Sequence, residues 1–571
     1  MTATVPDAGA AARADPAETS TGTSPQATRP PAACGPGTTT CGPGAAAWPG
    51  WARASTLIAG VTVAARVVGF VRVAVFGRVF GVGLLGDTYL AANTVPNVVY
   101  ESVAGGALTG LVVPVLAGPL AAGDAAALRR TVSALLTWTV LVLTPPAVAC
   151  AVFRHEIIGL LISGDAPERS ARADLGSAML VVFAPQVVLY GVAVVCSGTL
   201  QAHRRFLAPA FAPLVSSLVV IAAYLVFAGL HSGMAVGTVG RAGALVLSAG
   251  TTLGVLALTA TVAVPTLRLR LGLRPALRFP AGVAVAARRL AVAGTAGLLA
   301  QQAALLVALR LASAQAGAQT LFVQATAVFL VPWAVLAVPV ATASFPELST
   351  AVAHPAGNAA GFERILSRAL RTVLVGALVA AGLLVATAAP VARLVVDVRA
   401  GMSASGVSDL REAIVAFAPG LPGFAVVAVA MRALYARGAT RRAGAAVVTG
   451  WVTVIFADVA LVAAFPTVPA ATLLGAGNSA GMTVAAALLV GALLSAGVPG
   501  AFDRAGRALA TGGLAGTAAG MTGMAVTAWT SDANAGVSVV TAGGAALAAA
   551  AVTVGLADRA VLPALVRDVV R

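Results

Sequence analysis

Two arginines lie inside a stretch of the chain that is otherwise apolar enough to cross a membrane. Arg66 and Arg72 fall within residues 55–75, where the other residues are apolar or small. An arginine near the centre of a bilayer costs about 2.5–3.5 kcal/mol, so it normally faces a water-filled cavity or a partner. The pair predicts a cavity that binds an anionic ligand, with the two arginines about 9 Å apart along one helix. The alternatives are a structural pairing or a side chain that reaches the membrane surface, as we expect for Arg78.

Three polar residues of the following stretch are candidates for the same cavity. Asp87 either caps the second helix or acts as a charge partner of the arginines. Asn97 follows Pro96, and Glu101 lies near the middle of the helix, where an unpaired carboxylate would be costly. We expect Glu101 to pair with an arginine of the first helix. The predicted substrate-binding residues are Arg66, Arg72, Asp87, Asn97 and Glu101.

A second candidate site lies in the C-terminal half of the chain. Asp458 is the main carboxylate inside an apolar run there, TVIFADVALV, and Asn478 lies on the next predicted helix. Carboxylate and amide oxygens are ligands that hard cations prefer. Asp458 and Asn478 are therefore a candidate cation site, although a purely structural acid fits the sequence equally well.

The remaining reactive residues show no catalytic or metal-binding pattern. The four histidines are scattered, and Cys150 and Cys196 lie within apolar runs. The sequence has no phosphate-binding loop, no HExxH motif and no set of Ser, His and Asp that can be assembled. We expect a transporter and not an enzyme, with no catalytic residues, no metal and no cofactor. Coupling to Na+, to H+ or to the membrane potential stays open.

The composition excludes a soluble domain. Of the 571 residues, 59% are hydrophobic and only 10% are charged, which leaves too little polar surface to cover a folded chain in water. The net charge of +16 comes from arginines in short clusters between apolar runs. Such clusters are typical of orientation signals and not of nucleic-acid binding. We expect an all-α, multi-pass membrane protein with no nucleic-acid partner.

The apolar runs predict fourteen membrane-spanning helices after residue 51, at about 20 residues for each span. The second helix is expected to be bent or broken at Pro96 and at Gly105 and Gly106. Links after even-numbered helices carry most of the arginines, including Arg204 and Arg205 and a group within residues 268–289. Links after odd-numbered helices are poorer and include Arg169 and Arg172. This bias places both termini in the cytoplasm.

A weak internal repeat relates the two halves. Pro96 and Pro332 are 236 residues apart, Pro114 and Pro346 are 232 apart, and Leu200 and Leu434 are 234 apart. Six helices separate the copies, so the halves should be related by an axis along the membrane normal. The predicted organisation is a disordered tail (1–50), an N-lobe of helices 1–6 (51–264), a basic cytoplasmic linker (265–289), a C-lobe of helices 7–12 (290–500), and helices 13 and 14 with a short cytoplasmic end (501–571).

Several segments resemble one family of membrane proteins. RVVGFVR, GVGLLGDTYLAANTVPN and GGALTGLVVPVL resemble the first two helices of the MurJ/MviN family of lipid II flippases. GTLQAHRRFLAPAFAPLVSSLVVI is similar to that family's link between helices 4 and 5, and FLVPWAVLAVPVATASFPELS to the end of its helix 8. NTVPNVVYE followed by GGALT is most similar to actinobacterial members. The resemblance spans residues 53–500 and implies the fold of the multidrug/oligosaccharidyl-lipid/polysaccharide (MOP) exporters, which include the MATE transporters, with two six-helix lobes around a cationic cavity.

The resemblance also assigns roles to individual positions. Arg66 and Arg72 match two of the family's cavity arginines, and Asp87 matches its acid at the start of helix 2. Other positions depart from the family pattern. Tyr100 and Glu101 stand where many members have a paired arginine, Gly105 replaces an acid, and Ala327 replaces the arginine of helix 8. These departures imply a less cationic cavity and a divergent member of the family.

The function that the resemblance implies is the flipping of lipid II, the lipid-linked peptidoglycan precursor, to the outer leaflet for cell-wall biosynthesis and cell shape. The expected partners are lipid II or a related undecaprenyl-diphosphate-linked precursor, membrane lipids, and cell-wall synthesis or division proteins. The alternatives are a cation-coupled exporter of drugs or other lipid-linked oligosaccharides from the same superfamily, and a non-transporting cell-wall scaffold. The expected location is the inner membrane.

Overall fold

A computed structural model of the chain describes residues 51–164, 166–230, 241–278, 283–353, 359–396, 405–531 and 533–557. The predicted tail, the last residues of the chain and part of the predicted linker lie outside these ranges. From Ser55 onward the chain forms one structural unit. Every regular element of the described residues is helical, which confirms the predicted all-α fold class.

The described residues of the N-terminal half form nine α-helices, and a π-helical turn at Glu101–Gly105 joins the second to the third. They are α1 (Trp51–Phe80), α2 (Leu84–Tyr100), α3 (Gly106–Ala121), α4 (Ala125–Val152), α5 (Arg154–Leu161), α6 (Ala166–Phe183), α7 (Gln186–Ala202), α8 (Leu207–Leu230) and α9 (Arg241–Leu267).

The C-terminal part contains ten α-helices among the described residues, with a π-helical turn at Trp333–Ala337. They are α10 (Val283–Ala312), α11 (Ala318–Pro332), α12 (Val338–Ala353), α13 (Ala359–Val395), α14 (Ser405–Phe417), α15 (Gly420–Ala436), α16 (Thr440–Ala464), α17 (Ala470–Ser495), α18 (Ala505–Trp529) and α19 (Ala535–Ala557).

The predicted count of fourteen spans is not confirmed. The described residues contain eleven helical segments that are long and apolar enough to cross a membrane, or twelve if α14 and α15, which meet at a bend of 42°, count as one span. Two further segments fall short of the same test. The α2–α3 segment is divided by its π-helical turn, and α18 is rich in glycine and alanine.

The second predicted helix is interrupted, although not at its proline. Pro96 lies within α2, and the irregularity is the π-helical turn at Glu101–Gly105. The second half repeats this arrangement, because Pro332 ends α11 and a π-helical turn follows at Trp333–Ala337. The two turns are 232 residues apart, the same separation as Pro114 and Pro346.

Three interhelical hydrogen bonds fix α9 against α6 and α7. The hydroxyls of Thr252, Thr259 and Thr266 donate to the carbonyls of Val182, Leu189 and Cys196 at 2.9, 3.2 and 3.3 Å. Donors and acceptors both recur every seven residues, which is two turns of a helix. The α6–α7 span and α9 therefore run side by side in the same direction and end at the same face.

The two ends of the helix bundle each take their name from one residue. The Asp87 end is where α1 ends and α2 and α11 begin, and the Arg204 end is where α7 and α9 end and α4 begins.

The helix α18 packs on the second half through glycines. On α18, Gly512 and Gly516 lie directly against Val375 and Leu378 of α13, so these glycines allow the two helices to pack closely.

Candidate functional site

The side chain of Arg72 lies beside a group of tyrosines in the N-terminal half. It is partly buried, and its charge acts on the phenols of Tyr89, Tyr190 and Tyr224. Tyr89 is fully buried and shares hydrogen bonds with the hydroxyls of Tyr224, at 3.0 Å, and Thr251, at 2.7 Å. These phenols offer the arginine a polar environment.

Asn97 belongs to the same group. Its side chain is exposed on α2 and hydrogen-bonds the phenol of Tyr190 on α7. The ring of Tyr190 packs against that of Tyr100, with centroids 5.7 Å apart. The structure thus brings Arg72 and Asn97 together through Tyr190. Tyr100, which departs from the family pattern, supports this group by packing.

Arg66 and Glu101 do not form the predicted ion pair. Arg66 is exposed on α1. The Glu101 carboxylate folds back over Gly105 within its own π-helical turn, and among the described residues it has no ion pair with Arg66 or Arg72. The turn changes the direction of this side chain relative to a regular helix, so the carboxylate stays within its own turn instead of reaching an arginine of α1.

Asp87 lies at an interface between the two halves of the protein. It is fully buried in the first turn of α2, but the N-cap of α2 is Gly83, so the predicted capping of α2 by Asp87 is wrong. Its carboxylate accepts hydrogen bonds from the backbone N–H of Gly317, at 2.7 Å, and of Thr320, at 2.8 Å. The Thr320 hydroxyl donates a third bond at 2.8 Å. Asp87 therefore caps α11, whose free N–H groups carry partial positive charge.

A fully buried arginine stands next to Asp87. Arg172 of α6 is 1% exposed, and it donates to the Thr88 hydroxyl at 3.3 Å and to the Ser163 carbonyl at 2.8 Å. It also acts electrostatically on Asp87. The sequence placed Arg172 in a link between helices, whereas the structure places it inside a helix.

Further contacts join the halves at the Asp87 end. The Gln319 amide donates to the Leu161 carbonyl at 2.9 Å, the hydroxyls of Ser163 and Ser313 share a bond at 2.9 Å, and Arg310 donates to Ser163. Arg78 does not simply reach the membrane surface, because its Nε also donates to the Leu394 carbonyl of α13 at 3.2 Å. Together with the Asp87 bonds, these contacts close the Asp87 end.

Asp458 and Asn478 lie on neighbouring helices, α16 and α17. Asp458 is 1% exposed, and its Oδ1 has no hydrogen-bond partner; the Asn478 Nδ2 is also buried without one. Gly477 lies directly against Asp458 Oδ1, and a Cβ at position 477 would occupy the space that this oxygen takes. No group of three or more His, Cys, Asp and Glu side chains that could hold a metal occurs in the described ranges. The site thus offers one unsatisfied carboxylate oxygen in a confined space.

Sequence reasoning missed four residues of these arrangements: Arg172, Tyr190, Gly317 and Thr320. A signal existed for Gly317, since glycine often marks a helix boundary, and the structure gives it a φ of +83° as N-cap of α11. Arg172 sits in the polar segment APERSARAD, which looks like a loop. Tyr190 and Thr320 carry no local signal, because their partners lie far away in the sequence.

Comparisons with known proteins agree with this architecture. The family profile described as lipid II flippase MurJ matches residues 76–536, a range that begins just after Arg66 and Arg72. A probable lipid II flippase MurJ of Rhizobium meliloti is 28% identical over 389 residues, which cover 67% of this chain and 70% of the relative. The lipid II flippase MurJ of Burkholderia cenocepacia is 29% identical over 182 residues, 31% of this chain and 34% of that protein.

Solved structures show the same fold. A lipid II flippase MurJ in an inward closed conformation superposes with a TM-score of 0.68 at 15% identity, covering 89% of this chain and all of the other. An inward-facing MATE family multidrug resistance transporter of the MOP superfamily gives 0.61 at 14% identity, covering 76% and 95%. The profile covers most of the chain, and the fold agrees with it. The chain is a multi-pass membrane protein that belongs to the MurJ family of lipid II flippases.

Proposed function

We propose that this chain moves lipid II across the inner membrane, with the Arg204 end in the cytoplasm, as part of cell-wall biosynthesis. The family assignment supports the substrate, and Arg72 beside Asn97 and Tyr190 is the observation that carries the chemistry. Guanidinium groups bind phosphate oxygens through paired N–H donors. Arg72 would hold the diphosphate of the headgroup, and Arg66 would contact the headgroup at a different depth in the membrane.

The translocation step follows from the closed Asp87 end. With this end sealed, a headgroup between the halves can exchange only with the Arg204 end. Release on the other side requires the bonds of Asp87 to Gly317 and Thr320 to break and the halves to separate there. The lipid tail remains in the membrane throughout, and no covalent bond of the substrate is made or broken. Asp87 would meet the substrate only after this separation.

Asp458 is the proposed coupling site. A buried carboxylate with an unpartnered oxygen is costly unless its charge is neutralised. Binding of H+ or Na+ would remove that cost, and Asn478 follows the Gly477 of α17 that lies against Asp458. The membrane potential, worth about 2.3 kcal/mol per charge per 100 mV, is the alternative energy source.

A rescue experiment tests the function. The resident lipid II flippase of an actinobacterial host is depleted, and the intact chain, Arg66→Ala/Arg72→Ala, Arg72→Lys or Arg411→Ala is expressed in its place. Arg411 is an exposed arginine of α14 and serves as the matched control. We expect rescue by the intact chain and by Arg411→Ala, partial rescue by Arg72→Lys and none by the double variant at equal membrane levels.

Two results would count against the proposal. If the stably inserted intact chain does not rescue growth, lipid II is not its substrate, and another lipid-linked cargo or a scaffold role takes its place. If the double alanine variant rescues as well as the intact chain, the two arginines are not the substrate contacts.

A further inference from the structure

Arg204 occupies a backbone position that normally requires glycine. It follows the end of α7 with a φ of +58°, and its N–H and that of Arg205 bond the carbonyls of Gln201 and Leu200 at 2.9 and 2.8 Å. This is the standard left-handed ending of a helix. Residues with a Cβ rarely adopt it, because the Cβ crowds the neighbouring carbonyl.

In the second half of the protein, the position that corresponds to Arg204 is occupied by the residue that this backbone conformation favours, glycine. Residues 234 apart correspond in the repeat, which pairs Arg204 with Gly438. Gly438 has a φ of +73°, and the N–H groups of Gly438 and Ala439 bond the carbonyls of Tyr435 and Leu434 at 3.0 and 2.9 Å. The two helix ends are built in the same way, yet only the first carries an arginine.

A second arginine of the N-terminal half has the same backbone conformation. Arg270, just after α9, has a φ of +51°, and its N–H donates to the Leu267 carbonyl at 3.0 Å. The residue 234 positions later is Arg504, which has a φ of +64°, so both halves hold an arginine at this second position. Arg204 and Arg270 therefore both carry the cost of a left-handed backbone in the N-terminal half. A backbone cost that recurs at one surface indicates that the side chains have a use there.

These two arginines belong to one face. The hydrogen bonds from the hydroxyls of Thr259 and Thr266 hold α7 and α9 side by side, so that both helices end at the Arg204 end. Leu200 and Leu269, which flank the two helix ends, pack in the same apolar cluster.

An extended segment of residues 268–278, called here the basic strap, continues from α9 along α4. Its N–H groups at Arg274 and Ala276 donate to the hydroxyls of Ser133 and Thr137 at 3.2 and 3.0 Å. Leu271 and Leu273 of the strap pack inward, while the arginines point outward. A Cβ on Gly272 would lie 3.7 Å from Arg129 Cδ, so Arg129 of α4 lies against the strap. The exposed arginines of this surface are Arg129, Arg130, Arg204, Arg205, Arg268, Arg270, Arg274 and Arg278.

Large apolar side chains surround these arginines. Phe206, Leu267 and Leu277 are 45%, 64% and 61% exposed. Trp138 is partly exposed, and its Nε1 donates to the Leu277 carbonyl at 2.9 Å. Asp124, an acid at the same end, accepts a bond from the N–H of Ala127 as N-cap of α4. Cationic groups next to exposed aromatic and aliphatic side chains, at the end of membrane-spanning helices, match the boundary between lipid headgroups and acyl chains.

We propose that this surface, centred on Arg204 and Arg270, binds an anionic glycerophospholipid of the leaflet at the Arg204 end. The guanidinium groups bind the phosphate and the anionic headgroup, and Phe206, Leu267 and Leu277 contact the acyl chains. The site is separate from the Arg72 group and does not depend on the proposed substrate. An acidic segment of another protein would match the charge but would leave the apolar rim without a function.

The test measures phospholipid binding to the full chain purified in detergent. Phosphatidylglycerol and phosphatidylcholine are titrated separately, and bound lipid is counted by native mass spectrometry. The variants are Arg204→Gly/Arg270→Gly, Arg204→Lys/Arg270→Lys, and the control Arg441→Ala/Arg442→Ala, which removes two exposed arginines from the start of α16. Folding is not at risk in the glycine variant, because glycine adopts a positive φ without steric strain.

The intact chain is expected to prefer phosphatidylglycerol over phosphatidylcholine. The glycine variant should lose affinity for phosphatidylglycerol about 30-fold, equivalent to ~2 kcal/mol at ~1 kcal/mol for each arginine. The lysine variant and the α16 control should stay within about threefold of the intact chain. Equal binding of phosphatidylglycerol by the glycine variant and the intact chain would overturn the proposal.

A third titration separates the phospholipid from the transported substrate. A short-chain prenyl diphosphate shares the anionic phosphate chemistry but lacks the glycerol headgroup. Its binding should depend on Arg72 and remain unchanged in the glycine variant. If the glycine variant loses the prenyl diphosphate and keeps phosphatidylglycerol, this surface is a substrate contact and not a phospholipid site.

Discussion

Replacement of Asp87 by asparagine should open the Asp87 end. The carboxylate joins α2 to α11 through three hydrogen bonds, from Gly317 N–H, Thr320 N–H and the Thr320 hydroxyl, at 2.7–2.8 Å. Asparagine has the same shape but only one acceptor oxygen. If that oxygen keeps both Thr320 bonds, the Nδ2 group faces the Gly317 N–H, and two donors meet where the carboxylate accepted.

The magnitude follows from this geometry. A buried donor left without an acceptor costs about 1–3 kcal/mol, and the loss of a negative charge at a helix N-terminus adds about 0.3–1 kcal/mol. The neutral side chain is easier to bury, which offsets part of this loss. We expect the closed arrangement to lose about 2 kcal/mol relative to the open one, a change of about 30-fold in their ratio.

Thiol labelling measures this ratio. The four native cysteines are replaced, and a single Val82→Cys is introduced. Val82 packs between Gly317 and Gly406 and is only partly exposed, so the closed Asp87 end limits access to it. The rate of its reaction with a membrane-impermeant thiol reagent then increases with the open population, as long as opening and closing are fast relative to labelling. Asp87→Asn should raise this rate by up to about 30-fold.

Two further variants define the outcome. Thr320→Val removes only the hydroxyl bond and should raise labelling by a smaller factor, about fivefold for ~1 kcal/mol. Asp409→Asn is the matched control, since the partner of the Asp409 carboxylate within the described ranges is its neighbour Ser408 on α14, and it should leave the rate within about twofold of the parent. If Asp87→Asn labels no faster than Asp409→Asn, the Asp87 bonds do not hold this end closed.

Two more predictions concern other parts of the molecule. Asp458→Asn removes the buried charge while keeping the shape of the side chain, so the protein should fold normally. Its flipping rate should no longer respond to replacement of Na+ or to collapse of the pH gradient. A retained response to either would show that Asp458 is not the coupling site. Arg204→Gly should raise the free energy of unfolding by about 0.5–1 kcal/mol, because glycine relieves the strain of the left-handed backbone. Gly438→Arg should lower the free energy of unfolding by a similar amount. Thermal unfolding in detergent measures both, and equal stability of the two variants would show that the backbone conformation carries no cost.

The features predicted correctly from the sequence are those with a local signal. Apolar runs, short arginine clusters and the low share of charged residues predict an all-helical membrane protein. Gly105 and Gly106 marked the interruption of the second helix, although Pro96 is accommodated within α2. The count of fourteen spans is not confirmed, because runs divided by a π-helical turn or rich in small residues are weak spans by length and apolarity.

The features that sequence missed depend on distant contacts. Asp87 and Thr320 are separated by 233 residues, and nothing near Asp87 indicates that it caps a helix of the other half. Arg172 was placed in a link because its neighbours are polar, yet packing of α6 against α2 buries it completely. Glu101 was paired with the first helix because an unpaired carboxylate in the middle of a membrane helix is costly, yet its carboxylate folds back within the π-helical turn.

The repeat and its exceptions suggest a division of labour in this protein. Both halves place a π-helical turn shortly after a proline, at Glu101–Gly105 and Trp333–Ala337. Such turns hold fewer well-aligned backbone bonds, so each half has a matched weak point in the helix that begins at the Asp87 end. The chemistry is not repeated, since Arg72 and its tyrosines belong to the first half and Asp458 to the second. A symmetric pair of π-helical turns would allow the halves to move as equivalents, while under the proposed function the unequal charges would determine what moves with them and in which direction.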